Sequence, residues 1–394
     1  MNAKSPKIMI LYASYGDGHY RASKAIEACF RSKGIRDVVL LDLMAESHPR
    51  LNEFTKFIYL TSFQALPFLY GWIYNATKDL RIESAFLRAV NAIGTGTLKK
   101  AIRRHEPDLV IHTFPQLILP ELSKRASFSL PIVNVITDFD VHARWLHSGV
   151  HRYYVATEDM KREMIERGVP AERILVSGIP LRPDFGRDEQ APADSGIGGA
   201  LNPGKKTILL MAGAYGVMQG NREICEALLA GGNYQILAVC GRNQELYQAL
   251  ASHFGGHPDV HLFGFVDEVA EFMLASDCII TKPGGITLSE ALACRLPLFL
   301  YRPVPGQELN NARYLEKKGI ARIAADPVSL RAEIDALLRD GGQLSTVMAN
   351  MENLRKPMAA EVIVNDILEQ WFQSVSRKPV TAQIGSAPPR LVIH

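Results

Sequence analysis

The stretch Ile10–Ile26, ILYASYGDGHYRASKAI, begins as a short apolar run, passes through Gly16-Asp17-Gly18-His19 and continues with apolar residues at helical spacing. A strand that hands over to a helix through a glycine turn is the opening of a βαβ unit. The same passage recurs downstream. KIMILYAS, DVVLLDL, DLVIHT, PIVNVIT, VHRYYVAT and RILVSG are strand candidates in the first half of the chain, and TILLMAG, YQILAVCG, VHLFGFV, CIITKPG, LPLFLYRP and IARIAAD in the second. Short continuous apolar runs separated by helices read as parallel strands buried on both faces. Between the two series lies GRDEQAPADSGIGGALNPGKK, from Gly186 to Lys206, whose Gly, Pro, Ala and Asp content marks a linker. The expectation is an α/β chain of two doubly wound, Rossmann-like domains facing a central cleft, where a ligand would bind. Its parts are a first domain over 1–185, a linker over 186–205, a second domain over 206–357, a helix over 358–376 returning to the first domain, and a mobile tail over 377–394.

Composition narrows the function. The chain has 394 residues, 47% hydrophobic and 22% charged, with a formal net charge of +3, which is the balance of a globular protein and gives no case for nucleic-acid binding. Five separated cysteines without a Cys-x-x-Cys pair read as reduced core residues of a cytoplasmic protein. The N-terminus runs into the fold without a cleavage signal, so no signal peptide is expected. One segment departs from the pattern: Phe57–Thr77 carries no charge, and eight aromatic residues, from a chain total of 3 Trp, 13 Tyr and 16 Phe, fall between Phe54 and Tyr74. Two readings stay open, a surface that docks on a membrane and a helical hairpin packed on the first domain.

Four loops carry candidate chemistry. Gly16-Asp17-Gly18-His19 opens a helix whose N–H groups could receive negative charge, and a histidine there could serve as general base; a simple capping histidine is the alternative. Arg21 stands where a dinucleotide fingerprint would have its third glycine. In the second half, Gly213, Ala214, Tyr215 and Gly216 clear side-chain bulk where a phosphate could sit. Pro283-Gly284-Gly285 leads through Ile286 and Thr287 into a helix that would present free N–H groups to a diphosphate, with Glu290 one turn in for a ribose diol or as a helix-terminal carboxylate. Gln307, Glu308, Asn310 and Asn311 gather amides and a carboxylate suited to sugar hydroxyls. Together these fit a nucleotide-sugar transferase. Asp138-Phe139-Asp140 looks like a metal-binding Asp-x-Asp, but lies in the half opposite the phosphate turns, so Asp138 is expected to orient His19 or to take the acceptor proton.

GDGH, HTFP, TDFDVHARW, YYVATEDMK, GIPLRPDF, MAGAYG, KPGGITLSEA and PVPGQE follow one another between Lys7 and Trp371. In that order the chain resembles the diacylglycerol glycosyltransferases, the plant monogalactosyldiacylglycerol synthases and more closely the bacterial processive diacylglycerol β-glucosyltransferases. The resemblance implies a GT-B fold, a UDP-sugar donor, inversion at the anomeric carbon, no metal and no cofactor. It also implies peripheral attachment at the cytoplasmic face of the cell membrane, with an anionic surface and diacylglycerol as partners. The GAYGVM loop is similar to the glucosyl form and favours UDP-glucose, with UDP-galactose as the alternative. By similarity to the transferase that adds N-acetylglucosamine to a lipid-linked precursor, Phe265 and Val266 would receive uracil through their backbone, Glu290 the ribose, and Asn310 and Asn311 the hexose. His19 or Asp138 would be the base. Acceptor and membrane contacts would fall to Gly16, Gly18, Phe68, Tyr70, Trp72, His142 and Trp145. A UDP-sugar epimerase and a non-catalytic UDP-sugar sensor are the competing functions.

Overall fold

Each of the twelve apolar runs forms a strand in the computed structural model, which describes residues 5–14, 17–42, 45–46, 71, 74, 95–115, 130–186, 199 and 201–373. Gly16, Phe68, Tyr70, Trp72, linker residues 187–198 and 200, and the tail lie outside the described residues. The first sheet holds β1 (Ile8–Tyr12), β2 (Val38–Asp42), β3 (Leu109–His112), β4 (Ile132–Val135), β5 (Arg152–Val155) and β6 (Ile174–Val176). The second holds β7 (Lys206–Met211), β8 (Tyr234–Val239), β9 (Val260–Phe263), β10 (Cys278–Thr281), β11 (Leu298–Tyr301) and β12 (Ala321–Ala324). All pairings are parallel, and the helices cover both faces, which explains the unbroken apolar runs.

The first helix, α1 (Asp17–Ser32), buries Ala22, Ala25, Ile26, Cys29 and Phe30 along one stripe. Then come α2 (Thr95–His105), α3 (Glu158–Glu166), α4 (Asn221–Leu229), α5 (Gln244–Phe254), α6 (Val269–Leu274), α7 (Gly285–Ala293), α8 (Gln307–Lys317), α9 (Pro327–Arg339), α10 (Gly341–Leu354) and α11 (Ala359–Trp371). Although α11 follows the second sheet, its Ile363, Val364 and Ile367 join the core formed by α1 and the first sheet. Arg152 and Tyr154 of β5 both bond Asp366 of α11, at 2.7 to 2.9 Å, so polar contacts anchor an apolar stripe.

Strand order explains where ligands can enter. The sheets run β2-β1-β3-β4-β5-β6 and β12-β11-β10-β7-β8-β9. Neighbouring connections therefore diverge between β1 and β3 and between β7 and β10, and the carboxyl ends of a parallel sheet open into a crevice at such points. His19 follows β1. The turns at Gly213–Gly216 and Pro283–Gly285 follow β7 and β10. Two domains of this GT-B design thus present their switch points to each other.

Candidate functional site

His19 sits in the first turn of α1, half-buried, with Nδ1 2.7 Å from the Thr113 carbonyl oxygen and 3.0 Å from Thr137 Oγ1. A carbonyl only accepts, so Nδ1 carries the proton, and the lone pair is on Nε2. The Phe114 ring stands edge-on at 5.1 Å. Burial lowers the imidazole pKa to about 4, opposed by the Thr113 carbonyl, and the ring is neutral at pH 7. Ser23 ties the junction together, its hydroxyl lying 2.9 Å from both the His19 carbonyl and Thr113 Oγ1. A neutral, oriented imidazole with a free Nε2 can accept a proton.

The opposing face is built from backbone. Side chains cap α3, α5, α9 and α10 through Thr157, Asn243, Asp326 and Asp340, whereas α7 and α8 start at Gly284 and Gly306 with no side-chain cap. The first N–H groups of α7 keep their capacity for an anion, and the helix dipole favours one. Gly216 has φ +58°, and a Cβ there would collide with the Cys240 carbonyl. The turn is further held by Gly216 N to Gly213 O at 3.0 Å and by Asn243 Nδ2 to Gly216 O at 2.9 Å. Tyr215 and Phe265 flank Arg242, whose guanidinium carbon lies 3.9 Å from the Phe265 ring centroid and 5.9 Å from that of Tyr215. Arg242 Nη1 also meets Asp17 Oδ2 at 2.8 Å, across the cleft. Val266 is half-buried beside Phe265.

The cleft is closed along α8. Asn310 Nδ2 reaches Asp140 Oδ2 at 2.8 Å, the oxygen that Tyr74 OH bonds at 3.1 Å. Tyr314 OH and Lys318 Nζ meet Asp159 at 2.8 and 2.6 Å, and Gln307 bonds Asp138. Gln307, Asn310, Asn311 and Tyr314, with Lys318 at the C-cap, recur through spacings of three and four residues and so share one helix face. Glu308 is engaged within its own domain, by Lys282 at 3.0 Å and Val304 N at 3.2 Å.

Several expected roles change with this geometry. Asp138 does not orient His19; its carboxylate accepts from Gln307 and Asn311, and burial raises its pKa to about 6, with the two amide bonds opposing. Thr137, the residue before it, holds the imidazole instead. The Asp-Phe-Asp segment is not remote from the phosphate turns, since a Cβ at Gly285 would lie 3.3 Å from Asp138 Cα. Asn311 is fully buried: its Oδ1 accepts from Phe139 N at 2.9 Å, and its Nδ2 donates to Pro283 O at 3.1 Å and Asp138 Oδ1 at 3.3 Å. Both amide hydrogens of Asn311 are thus engaged within the protein and its side chain has no exposed surface, whereas Asn310 is partly exposed. Trp145, expected at the acceptor or membrane side, is 2% exposed in the core, and His142, also buried, accepts from Arg144 N at 3.1 Å as a cap. Gly18 faces Ile286, with 3.4 Å from a Cβ position to Cγ1. Glu290 is buried and meets Arg21 Nη1 at 3.5 Å; burial raises its carboxyl to about 7 against the pull of Arg21 and Arg182. Thr287 stands one turn ahead of it in α7 and is half-buried.

The residues missed in the sequence are Thr113, Thr137, Asp17, Arg21 and Arg242. Thr113 and Thr137 end the apolar runs DLVIHT and PIVNVIT, and a polar residue at the carboxyl end of a buried parallel strand was the available signal. Among the described residues no three His, Cys, Asp or Glu side chains are grouped to hold a metal ion, and no helix is long and apolar enough to cross a membrane.

Comparison with known proteins divides the chain at the same cleft. The family model for monogalactosyldiacylglycerol (MGDG) synthase matches residues 19–181, and that for glycosyl transferases group 1 matches residues 199–353. A processive diacylglycerol beta-glucosyltransferase of Bacillus thuringiensis is 41% identical over 381 residues, covering 96% of this chain and 97% of its own. The S. aureus MnaA–UDP co-structure superposes with a TM-score of 0.63 at 16% identity, covering 95% of this chain and 99% of that one. Acinetobacter baumannii MurG does so with a TM-score of 0.60 at 16% identity, covering 92% and 100%. The two structures share the fold; the sequence relative, together with the paired family models, shows that this chain belongs to the family of processive diacylglycerol β-glucosyltransferases.

Proposed function

We propose that the chain transfers glucose from UDP-glucose to the free hydroxyl of 1,2-diacylglycerol, with inversion, giving β-glucosyldiacylglycerol. Further glucoses can follow, because each product exposes new hydroxyls. One observation carries the reading: the unprotonated Nε2 of His19 and the uncapped N-terminus of α7 belong to the two switch points that the closed cleft brings together. As the acceptor oxygen bonds the anomeric carbon, its proton passes to His19 Nε2. The bond from that carbon to the diphosphate breaks, and UDP leaves with the electron pair. Its growing charge is met by the N–H groups of α7 and the Gly213–Gly216 turn, so neither a metal ion nor a cofactor is required. Phe265 and Val266 receive uracil, and Gln307 and Asn310 face the hexose. UDP release measured with and without diacylglycerol tests the reading: release that depends on diacylglycerol and yields a glucosylated lipid supports it. Release without the lipid, or sugar isomerisation without release, overturns it. UDP-galactose in parallel checks the donor. Full activity in excess EDTA checks metal independence.

Diacylglycerol stays in the bilayer, so the enzyme acts as a peripheral protein at the cytoplasmic face. Support comes from the aromatic stretch Phe57–Tyr74 and from α2, a helix without acidic residues that exposes Lys99, Lys100, Arg103 and Arg104, a charge suited to anionic lipid. Replacing Phe68, Tyr70 and Trp72 with Ser should weaken binding to anionic liposomes while sparing transfer to a short-chain, soluble diacylglycerol. Normal liposome binding with a much lower unfolding temperature would place these side chains in the protein core.

A further inference from the structure

Three consecutive residues after β4 touch both halves of the molecule. Thr137 is buried at 3% exposure. Its hydroxyl lies 3.0 Å from His19 Nδ1, while its carbonyl oxygen abuts Gly285 so closely that a Cβ there would overlap it. Asp138 is held by Gln307 and Asn311, and the Phe139 N–H by Asn311 Oδ1 at 2.9 Å. Asn311 also bonds the carbonyl of Pro283, in the turn that starts α7. The strap 137–139 therefore rests on the donor-side turn with its main chain and on His19 with a side chain.

We infer that Thr137 is a positioning residue for His19, set in place by the docking of the α7 turn and α8 against its own backbone. The inference rests on the proposed role of His19 as base. Chemistry fixes the direction of the bond. Since Nδ1–H must donate to the Thr113 carbonyl, it has no lone pair to offer, and the Thr137 hydroxyl accepts a second share of the same hydrogen. Two oxygens then hold the ring plane and keep the lone pair on Nε2 toward the cleft. They also stabilise the imidazolium formed when Nε2 takes the acceptor proton. An open cleft removes Gly285 and Asn311 from the strap, so the base is aligned when the donor domain is docked. Charged groups on the surrounding elements are engaged elsewhere: Asp17 with Arg242, Arg21 with Glu290, and Asp138 with Gln307 and Asn311.

The test compares Thr137→Val, which keeps the shape and removes the acceptor, with Thr137→Ser, which keeps the hydroxyl, and with Thr137→Ala as a second deletion. Val and Ala should each lower kcat about tenfold, as small losses of alignment do, with KM for UDP-glucose unchanged. The acid limb of the kcat–pH profile should move to lower pH, because the imidazolium loses one acceptor. Ser should stay within about twofold of the parent and restore the limb. In a His19→Ala background, Thr137→Val should have no further effect. Parent-like kcat and pH limb in the Val and Ala variants overturn the inference, as does a Ser variant as slow as Val. His19→Ala with near-parent turnover would instead remove the proposed base itself, and an inactive His19→Ala beside an unaffected Thr137→Val would remove the positioning role alone.

Discussion

The two switch points of the molecule are built from opposite materials. At the ends of β1, β3 and β4 the first domain presents the imidazole of His19, held by the Thr113 carbonyl and the Thr137 hydroxyl. After β7 and β10 the second domain clears side chains away and presents main chain, with Gly216 and Gly285 packed where no Cβ fits. Moving a proton needs a group whose lone pair is aimed and whose pKa is set, which only a side chain supplies. Receiving a diphosphate needs several donors converging at once, which the backbone of an uncapped helix supplies without moving. In the proposed function, the same fold thus serves two chemistries according to whether its turn keeps or removes a side chain.

Substitutions can break this division on either side. His19→Ala should cut turnover by about 100-fold or more while leaving UDP binding nearly intact, as loss of a general base does; single-turnover rates and UDP titration read the two quantities. Near-normal turnover would dissolve the contrast. Gly285→Ala should fall next, by about tenfold or more, because the new methyl strikes the Thr137 carbonyl and holds the domains apart. Small-angle scattering should then show a larger radius for the variant, and an unchanged radius with unchanged rate would mean that the turn tolerates bulk.

The bridge between the two sides is expected to contribute less. Arg242→Met keeps apolar contact with Phe265 and Tyr215 but loses the ion pair with Asp17, which is partly exposed. Such pairs contribute about 0.2 to 1 kcal/mol, so turnover should drop about two- to fivefold, with Asp17→Asn matching it and the double variant no worse. The smallest effect is on stability. Burial raises Glu290 from an ordinary value of 4.5 to about 7, so the folded chain holds that proton more tightly than the unfolded chain. Its contribution is complete below the ordinary value and is lost as pH rises through about 7. Glu290→Gln should therefore lose less thermal stability than the parent between pH 5 and pH 8, by a few degrees, on the order expected for ~1 kcal/mol. Parallel melting curves would show that Arg21 keeps Glu290 ionised throughout.

The twelve strands were legible because parallel strands buried on two faces need continuous apolar runs, and those runs stand out in any window. The glycine turns were legible for a related reason: close packing of main chain leaves only one residue type that fits. His19 could be singled out because few side chains titrate near neutrality and this one opens a helix. By itself the sequence determined two α/β domains, their glycine turns and the family to which the chain belongs. It did not show that Asp138 faces Gln307 and Asn311, that Thr137 holds His19, that Arg21 meets Glu290, or that Trp145 is core. Each of these depends on contact between elements far apart in the chain, 169 residues for the bond from Gln307 to Asp138 and 118 for that from Thr137 to His19. Local pattern records which face of an element is apolar. The partner of a polar group is chosen only when strand order and domain closure bring two surfaces together and each buried donor must find an acceptor.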